Sequence, residues 1–143
     1  MNNGHAHLQR PIVLAAGVFD LLHPGHVYFL REARALGSSL VVVITSDDTA
    51  RRQGKTPVFS DADRRELVGA LRFVDTALVG EAGKDFGTTL DVMPDVIALG
   101  YDQFSDIDRL RKDLAGLGWQ GRIERVGKFG DYSSSSLLKT RGV

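Results

Sequence analysis

The sequence predicts an α/β fold, a single doubly wound domain whose five-stranded parallel sheet carries helices on both faces. Its length of 143 residues is typical of one compact domain with one hydrophobic core. Short, continuous apolar runs are typical of strands buried on both faces, and segments with apolar residues at helical spacing separate them. Because buried strands alternate with helices, the sheet should be parallel, with right-handed crossover connections.

Five apolar runs are the predicted strands. The first follows a polar leader, residues 1–10, and the folded domain is therefore assigned to residues 11–143. The last run is less apolar than the others, which is typical of a strand at an edge of the sheet. In chain order the predicted strands are residues 11–16, 40–44, 76–79, 96–99 and 122–126.

Three segments between these strands are predicted to be helical. Each carries apolar residues that recur at helical spacing and so form one buried stripe. Gly37 and Gly118 follow two of them as expected C-caps, and an N-cap within residues 60–63 leads into another. The predicted helices are residues 26–36, 64–72 and 105–117.

The composition excludes several classes of protein. The 18 basic and 18 acidic side chains cancel, so nothing indicates a surface for nucleic acid or membrane. Cysteine is absent, which excludes disulfides, thiolate metal sites and a cysteine nucleophile. The apolar runs are too short to cross a bilayer, and the start of the chain lacks the apolar stretch of a signal peptide. We therefore expect a soluble, cytoplasmic protein.

The segment directly after the first strand, residues 17–26, carries the clearest functional signal. Ligands of doubly wound sheets bind at the carboxyl ends of the strands. Gly17 and Gly25 allow the backbone to approach a ligand closely, and the N-terminus of the following helix attracts anions. His23 and His26 add side-chain donors, and the positive helix end should keep His26 neutral. Neither a dinucleotide fingerprint nor a P-loop is present. The segment therefore predicts a phosphate site.

The residues Gly-Val-Phe-Asp-Leu-Leu-His-Pro-Gly-His, followed by an apolar helix, resemble the H-x-G-H signature of the cytidylyltransferase-like nucleotidyltransferases. This resemblance implies a Rossmann-like domain, usually a homodimer, that transfers a nucleotidyl group to a phosphate-bearing small molecule and releases pyrophosphate. It also implies Mg²⁺ bound with the nucleoside triphosphate. Two other interpretations are a pair of histidines on a solvated loop and a zinc site. The zinc site is weak because His5 and His7, the other two histidines, lie in the leader.

The resemblance assigns roles to individual residues. It implies His23, His26 and Lys55 as catalytic, with Arg51 or Arg52 as alternatives to the lysine, and no protein ligand for a metal. The implied substrate-binding residues are Asp20, Arg72 and Tyr101; residues 72–75 resemble the family's Arg-Tyr-Val-Asp element. The implied nucleotide-binding residues are Gly17, Val18, Phe19, His23, Pro24, Gly25, His26, Asp102, Phe129, Ser134 and Ser135.

Residues 128–136 depart from the family's Arg-Thr-x-Gly-Ile-Ser-Thr-Thr element, although they keep a basic residue, a glycine and a cluster of serines. Together with Gly-Tyr-Asp-Gln at residues 100–103, this loop resembles the archaeal-type FAD synthases, which transfer AMP from ATP to FMN. The alternatives are a cytidylyltransferase that uses CTP and glycerol-3-phosphate, phosphopantetheine adenylyltransferase, which fits poorly outside the loop, and a non-catalytic nucleotide-binding module.

Overall fold

The computed structural model describes residues 7–81 and 87–128, and these ranges contain five strands and five helices. The strands are β1 (Ile12–Gly17), β2 (Ser39–Ile44), β3 (Thr76–Val79), β4 (Val96–Leu99) and β5 (Arg122–Arg125). The helices are α1 (Pro24–Arg34), α2 (Asp47–Arg52), α3 (Asp61–Gly69), α4 (Gly87–Val92) and α5 (Ile107–Gly116).

All five strands are parallel, in the order β3-β2-β1-β4-β5. The chain first moves outward from β1 to β2 and β3, and then returns to place β4 on the other side of β1. The direction of winding therefore reverses between β1 and β4. Loops that leave the carboxyl ends of these two strands run to opposite sides of the sheet, and the gap between them is where such folds bind ligands.

Alternating side chains along the central strands pack against helices on opposite faces of the sheet. Val13 and Ala15 of β1 face the cluster that contains Leu30 of α1 and Val68 of α3. Ile12 and Leu14, the alternate residues, belong to a second cluster with Val92 of α4. Residues of β4, β5 and α5 form a third cluster. Because both faces are covered, the strands are apolar throughout, as the sequence predicted.

The predicted fold class and all five strands are confirmed, including β5 at an edge. Two helices, α2 and α4, were not predicted; each has only six residues. No helix among the described residues is long and apolar enough to cross a membrane.

The predicted bounds of α1 were wrong at both ends. The helix begins at Pro24, because His23 caps it, and it ends at Arg34 with Ala35 as the C-cap. Gly37 has a different role from the predicted cap. A Cβ atom there would lie 2.6 Å from the carbonyl oxygen of Pro11, so the glycine permits close approach of two backbone segments. Helix α3 has the predicted length of nine residues but begins and ends three residues earlier, because Ser60 caps it. Helix α5 is shorter than predicted, with ten residues.

Candidate active site

A cleft of about 840 Å³ opens at the carboxyl ends of β1 and β4, where the winding reverses. Its walls come from the loop between β1 and α1, the start of α1, the loop before α3 and the loop after β4. The lining residues are Ala16, Gly17, Val18, Phe19, Asp20, His23, Gly25, His26, Phe29, Gly54, Lys55, Thr56, Pro57, Val58, Gly100, Tyr101, Asp102, Gln103, Phe104 and Gly127.

The two histidines of the motif form the N-terminal cap of α1. Nδ1 of His23 accepts a hydrogen bond from the backbone N–H of Gly25 at 3.1 Å. Nδ1 of His26 accepts one from the backbone N–H of His23 at 3.3 Å. This is a capping box in which both side chains are imidazoles, with Pro24 at the first helical position. The helix start is therefore fixed by the same side chains that face the cleft.

The capping bonds determine where each imidazole carries its proton. A ring nitrogen that accepts a backbone N–H holds no proton, so a neutral histidine in this position is protonated on Nε2. Both His23 and His26 accept through Nδ1. Each ring therefore presents an Nε2–H donor, and both rings line the cleft.

Burial and proximity keep both rings neutral. Their centroids lie 3.8 Å apart in a stacked arrangement, so two positive charges would repel strongly. Burial, with a further contribution from His23, lowers the pKa of His26 to about 4, although Asp20 acts in the opposite direction. Burial also lowers the pKa of His23. The neutral His26 that the sequence predicted from the helix end is thus also favoured by burial.

Phe19 packs between His26 and Phe29. Its ring contacts His26 edge-on at 5.6 Å and stacks on Phe29 at 6.4 Å. The backbone of Phe19 is left-handed, with a φ of 52°. Gly17 makes room for this conformation, since a Cβ atom at position 17 would lie 3.0 Å from the Phe19 ring. A side chain at position 17 would therefore crowd the buried Phe19 ring.

Asp20 connects the loop after β1 with the loop that carries Lys55. Its carboxylate oxygens accept hydrogen bonds from the backbone N–H groups of Val58 at 2.7 Å and Phe59 at 3.1 Å. Lys55 lies in the same loop as these amides, is exposed and lines the cleft. Asp20 therefore fixes the base of the lysine-bearing loop beside the histidines.

Arg64, in α3, is completely buried and binds four groups around the cleft. Its guanidinium donates to the carbonyl oxygens of Val18 and Thr45, each at 2.8 Å, and of Phe59 at 3.0 Å. It also pairs with Asp47 at 2.7 Å, and this hydrogen bond lowers the pKa of the Asp47 carboxyl. One side chain thus connects the loops after β1 and β2 with the loop before α3.

Gln103 spans the gap between β1 and β4. Its Oε1 accepts from the backbone N–H of Gly100 at 2.8 Å, and its Nε2 donates to the carbonyl oxygen of Ala16 at 2.9 Å. The two walls of the cleft are therefore joined at its floor. Tyr101 and Asp102, next to Gln103, are exposed and line the cleft.

The structure brings most of the predicted site residues together. The residues that line the cleft are Gly17, Val18, Phe19, Asp20, His23, Gly25, His26, Lys55, Tyr101 and Asp102. Pro24 lines a smaller hollow on the other side of His23. Phe129, Ser134 and Ser135 lie outside the described residues. Arg51 and Arg52 do not line the cleft and pair with Asp48.

Arg72 is the predicted site residue that the structure places elsewhere. It is exposed and lies in the turn between α3 and β3, at the amino ends of the strands. The cleft lies at the opposite, carboxyl ends. Arg72 therefore does not line the cleft, because the chain enters β3 at the amino ends of the strands. Its assignment to substrate binding stays a prediction.

Two arginines that organise the cleft were missed in the sequence. Arg64 precedes Leu67, Val68 and Leu71 at helical spacing, so a charge on the apolar stripe was a readable signal. Arg125 donates to backbone carbonyls of the loop after β4. Nothing in the local sequence of a charged edge strand distinguishes such an arginine.

A family model described as cytidylyltransferase-like matches residues 14–141, almost the whole chain. The chain belongs to the cytidylyltransferase-like family. The signature from which the family was predicted, His23 to His26, is the capping box at the start of α1.

Three curated proteins that resemble this chain over most of its length share one name. A protein of Thermoplasma acidophilum named FAD synthase is 44% identical over 130 residues, which are 90% of this chain and 92% of that protein. Another of Picrophilus torridus is 42% identical over 90% of this chain and 94% of its own length. A third, of Methanosarcina acetivorans, is 46% identical over 80% of this chain and 75% of its own length.

Solved structures share the fold. A lipopolysaccharide core biosynthesis protein from Thermoplasma volcanium matches with a TM-score of 0.80 and 43% identity, over 82% of this chain and 97% of that one. A protein of unknown function from Archaeoglobus fulgidus matches with a TM-score of 0.66 and 26% identity, over 80% of this chain and 87% of that one. The cytidylyltransferase-like sheet is thus found in both.

Proposed function

We propose that this enzyme transfers AMP from ATP to FMN and forms FAD and pyrophosphate. The observation that carries the reaction type is the pair of neutral histidines that line the cleft at the N-terminus of α1, each with an Nε2–H donor. The choice of ATP and FMN is supported by the relatives named FAD synthase, which match this chain over most of both lengths.

In the proposed reaction an oxygen of the FMN phosphate attacks the α-phosphorus of ATP in line. A new P–O bond forms, the bond from the α-phosphorus to the bridging oxygen breaks, and pyrophosphate leaves with that electron pair. The acceptor phosphate is already ionised at neutral pH, so no general base is needed. Catalysis then consists of positioning and of stabilising the charge that develops on the phosphoryl oxygens.

His23, His26 and Lys55 supply that stabilisation. The Nε2–H groups donate to oxygens on the α-phosphorus and on the leaving pyrophosphate, and these bonds strengthen as negative charge develops. The start of α1 adds backbone N–H groups and a positive dipole end. Lys55, across the cleft, neutralises the terminal phosphates. Because both imidazoles are neutral before ATP arrives, they donate without changing their protonation state.

We propose that Mg²⁺ enters the cleft bound to the triphosphate. The described residues contain no group of three or more His, Cys, Asp or Glu side chains that could hold a metal ion. Asp20, the carboxylate nearest the histidines in sequence, accepts two backbone N–H bonds. The oxygens of the triphosphate are hard donors that suit Mg²⁺, and the metal supplies charge neutralisation there.

The test is a substrate panel. The protein is incubated with Mg²⁺ and either ATP or CTP, together with FMN, glycerol-3-phosphate or phosphocholine, and pyrophosphate and FAD are measured. We expect pyrophosphate and FAD in equal amounts with ATP and FMN. Product with CTP and glycerol-3-phosphate instead would overturn the substrate assignment, and binding of nucleotide with no pyrophosphate in any combination would indicate a non-catalytic module.

A further inference from the structure

The loop after β4, residues 100–104, is held by a single side chain from the neighbouring strand. The guanidinium of Arg125 in β5 donates to four backbone carbonyl oxygens of this loop. The distances are 2.8 Å to Gly100, 3.3 Å to Tyr101, 2.6 Å to Gln103 and 2.6 Å to Phe104. An arginine that binds four carbonyl oxygens within a five-residue loop fixes the path of its backbone, because each acceptor restrains a different peptide unit.

The clamped loop exposes two aromatic side chains. Tyr101 is 45% exposed and Phe104 is 48% exposed, and both line the cleft. Neither belongs to the hydrophobic clusters of the described residues. Phe104 also has a left-handed backbone, with a φ of 49°, which a residue with a large side chain adopts only when the surroundings hold it there.

The loop holds both rings at the cleft and outside the hydrophobic clusters of the described residues. Four hydrogen bonds from Arg125 and a left-handed backbone at Phe104 hold two aromatic rings at the rim of the cleft, where each is about half exposed. Apolar rings that flank a polar cleft are the usual way in which proteins bind the flat face of an aromatic ligand. The Lys128 ammonium lies 5.3 Å from the Tyr101 ring centroid and adds positive charge to this side of the cleft.

We propose that Arg125 is a positioning residue, which holds Tyr101 and Phe104 as a wall against which the planar heteroaromatic ring of a substrate packs. The identity of the ring rests on the proposed function, in which both substrates, ATP and FMN, carry such a ring next to a phosphate. Separate binding measurements with ATP and with FMN distinguish the two sources.

A lysine cannot replace this arginine. The guanidinium is planar and offers five N–H donors in a fixed arrangement, whereas an ammonium group on a flexible chain is a compact point charge with three donors. Arg125→Lys therefore keeps the charge and loses most of the four carbonyl contacts. Arg122→Lys is the matched control, because Arg122 lies on the same strand and pairs with Glu124 at 3.0 Å, away from the loop.

The measurements are dissociation constants, obtained by calorimetry for ATP, FMN and inorganic triphosphate. Stacking of one base on an aromatic side chain contributes enough to change affinity by about tenfold. We expect Arg125→Lys to weaken binding of ATP or of FMN by about tenfold and to leave triphosphate within about twofold. Arg122→Lys should leave all three ligands unchanged.

A double-mutant cycle separates positioning from a general loss of structure. In a background with Tyr101→Ala and Phe104→Ala there is no wall to position, so Arg125→Lys should have no further effect on the sensitive ligand. The double-alanine protein should itself show the same loss of affinity. Should Arg125→Lys fail to fold, comparison of the double-alanine protein with the wild type still tests whether Tyr101 and Phe104 bind the ring.

Two results would overturn the proposal. One is unchanged affinity for both ATP and FMN in Arg125→Lys and in the double-alanine protein. The other is an equal loss for ATP, FMN and triphosphate, which would indicate a structural or purely electrostatic role. These outcomes are independent of turnover: a wild-type protein that binds ATP but forms no FAD contradicts the proposed function, while the ATP measurements still decide the role of Arg125.

Discussion

At the scale of single residues, His23 and His26 each use two ring nitrogens for different tasks. Nδ1 accepts a backbone N–H and so stabilises the helix start, whereas in the proposed reaction Nε2–H donates to phosphoryl oxygens. Replacement by alanine would remove the Nδ1 acceptor and the Nε2–H donor together, so their separate effects could not be distinguished. Asparagine places its amide oxygen where Nδ1 lies, while glutamine places its amide nitrogen near Nε2, so the two tasks can be separated.

His23→Asn and His26→Asn should fold normally and lose activity. Asparagine is among the best N-cap residues, so the melting temperature of His23→Asn should remain close to that of the wild type. In His26→Asn, at the third helical position, the amide oxygen can still accept from the backbone N–H of His23. The lost Nε2–H donor should lower turnover by about 10²- to 10³-fold, the loss typical of one oxyanion donor. The measurement is FAD formation at saturating ATP and FMN, with thermal melts of the same preparations.

The glutamine variants are the matched controls. His23→Gln keeps a donor near Nε2 but removes the cap, which should destabilise the protein by about 1 kcal/mol and retain more turnover than the asparagine variant. Equal turnover in the asparagine variant and the wild type would refute the assignment of Nε2 as the donor.

The depressed pKa of His26 predicts a pH-dependent stability. The folded pKa is about 4 and the ordinary value is 6.5. Between these values the unfolded state binds more protons, so stability that is fully present above pH 6.5 is lost as the pH falls towards 4. Urea unfolding at pH 7 and pH 4.5 should show wild type losing about 2 kcal/mol more than His26→Asn, after allowance for solvent screening. A difference that does not change with pH would contradict this.

The sequence predicted the histidine pair and its reaction but not the tasks of the individual nitrogens. The spacing of His23 and His26 before an apolar helix is visible in the chain, whereas a capping box made of two imidazoles appears only when the start of α1 is known. The predicted helix start near His26 left His23 outside the helix, three residues before its first turn, so its role as the N-cap was not recognised. The error of two residues therefore concealed the structural role.

At the scale of elements, Arg64 connects α3 with the loops after β1 and β2. Replacing it by alanine leaves the carbonyl oxygens of Val18, Thr45 and Phe59 without this donor. We expect Arg64→Ala to lower the free energy of unfolding by about 3 kcal/mol, because buried acceptors lose their partner.

Arg65→Ala is the control for this prediction. Arg65 is the next residue along α3 and is exposed, so its replacement should change stability by less than about 0.5 kcal/mol. Urea unfolding measures both variants. Equal stability of the two would show that the buried guanidinium is not the link between these elements.

Asp20 should control the order of the loop that carries Lys55. In Asp20→Ala the amides of Val58 and Phe59 lose a charged acceptor, a contact typically worth about 1.5–3 kcal/mol. Their hydrogen exchange should accelerate by about tenfold or more, as measured by NMR. The amide of Asp63, which donates to Ser60, serves as the internal control. Unchanged exchange at Val58 would contradict the link.

The elements that the sequence did not predict are short. Helices α2 and α4 contain six residues each, fewer than two turns, and so provide too few positions for an apolar stripe to be recognised. The longer α3 was predicted through its N-cap, Ser60, whose hydroxyl does accept from the Asp63 amide. The sequence therefore predicted the helices that have a recognisable N-cap or a buried apolar stripe.

At the scale of the whole molecule, the sequence predicted parallel strands but not their neighbours. An apolar run shows that a strand is buried on both faces, and it contains no information about which strand lies beside it. The edge position of β5 was predicted because its sequence is mixed. The reversal between β1 and β4, which creates the cleft, became visible only in the sheet order.

The two halves of the sheet meet along a short seam. Strands β1 and β4 pair through three residues of each strand, from Val13 with Val96 to Ala15 with Ala98. Beyond the last pair, Gln103 continues the connection by bonding Ala16 from the β4 side. The floor of the cleft is therefore a side-chain bridge between halves, where a ladder of backbone hydrogen bonds has ended.

Gln103→Glu tests this bridge with a nearly isosteric change. The carboxylate still accepts from the Gly100 amide but cannot donate to the Ala16 carbonyl, which it instead repels. We expect the free energy of unfolding to fall by about 1–3 kcal/mol, and ATP affinity to fall because a negative charge now lies on the cleft floor. Urea unfolding and calorimetry measure the two effects, with exposed Gln120→Glu as the control. Loss of affinity without loss of stability would show that charge alone matters and that Gln103 does not join the two halves of the sheet.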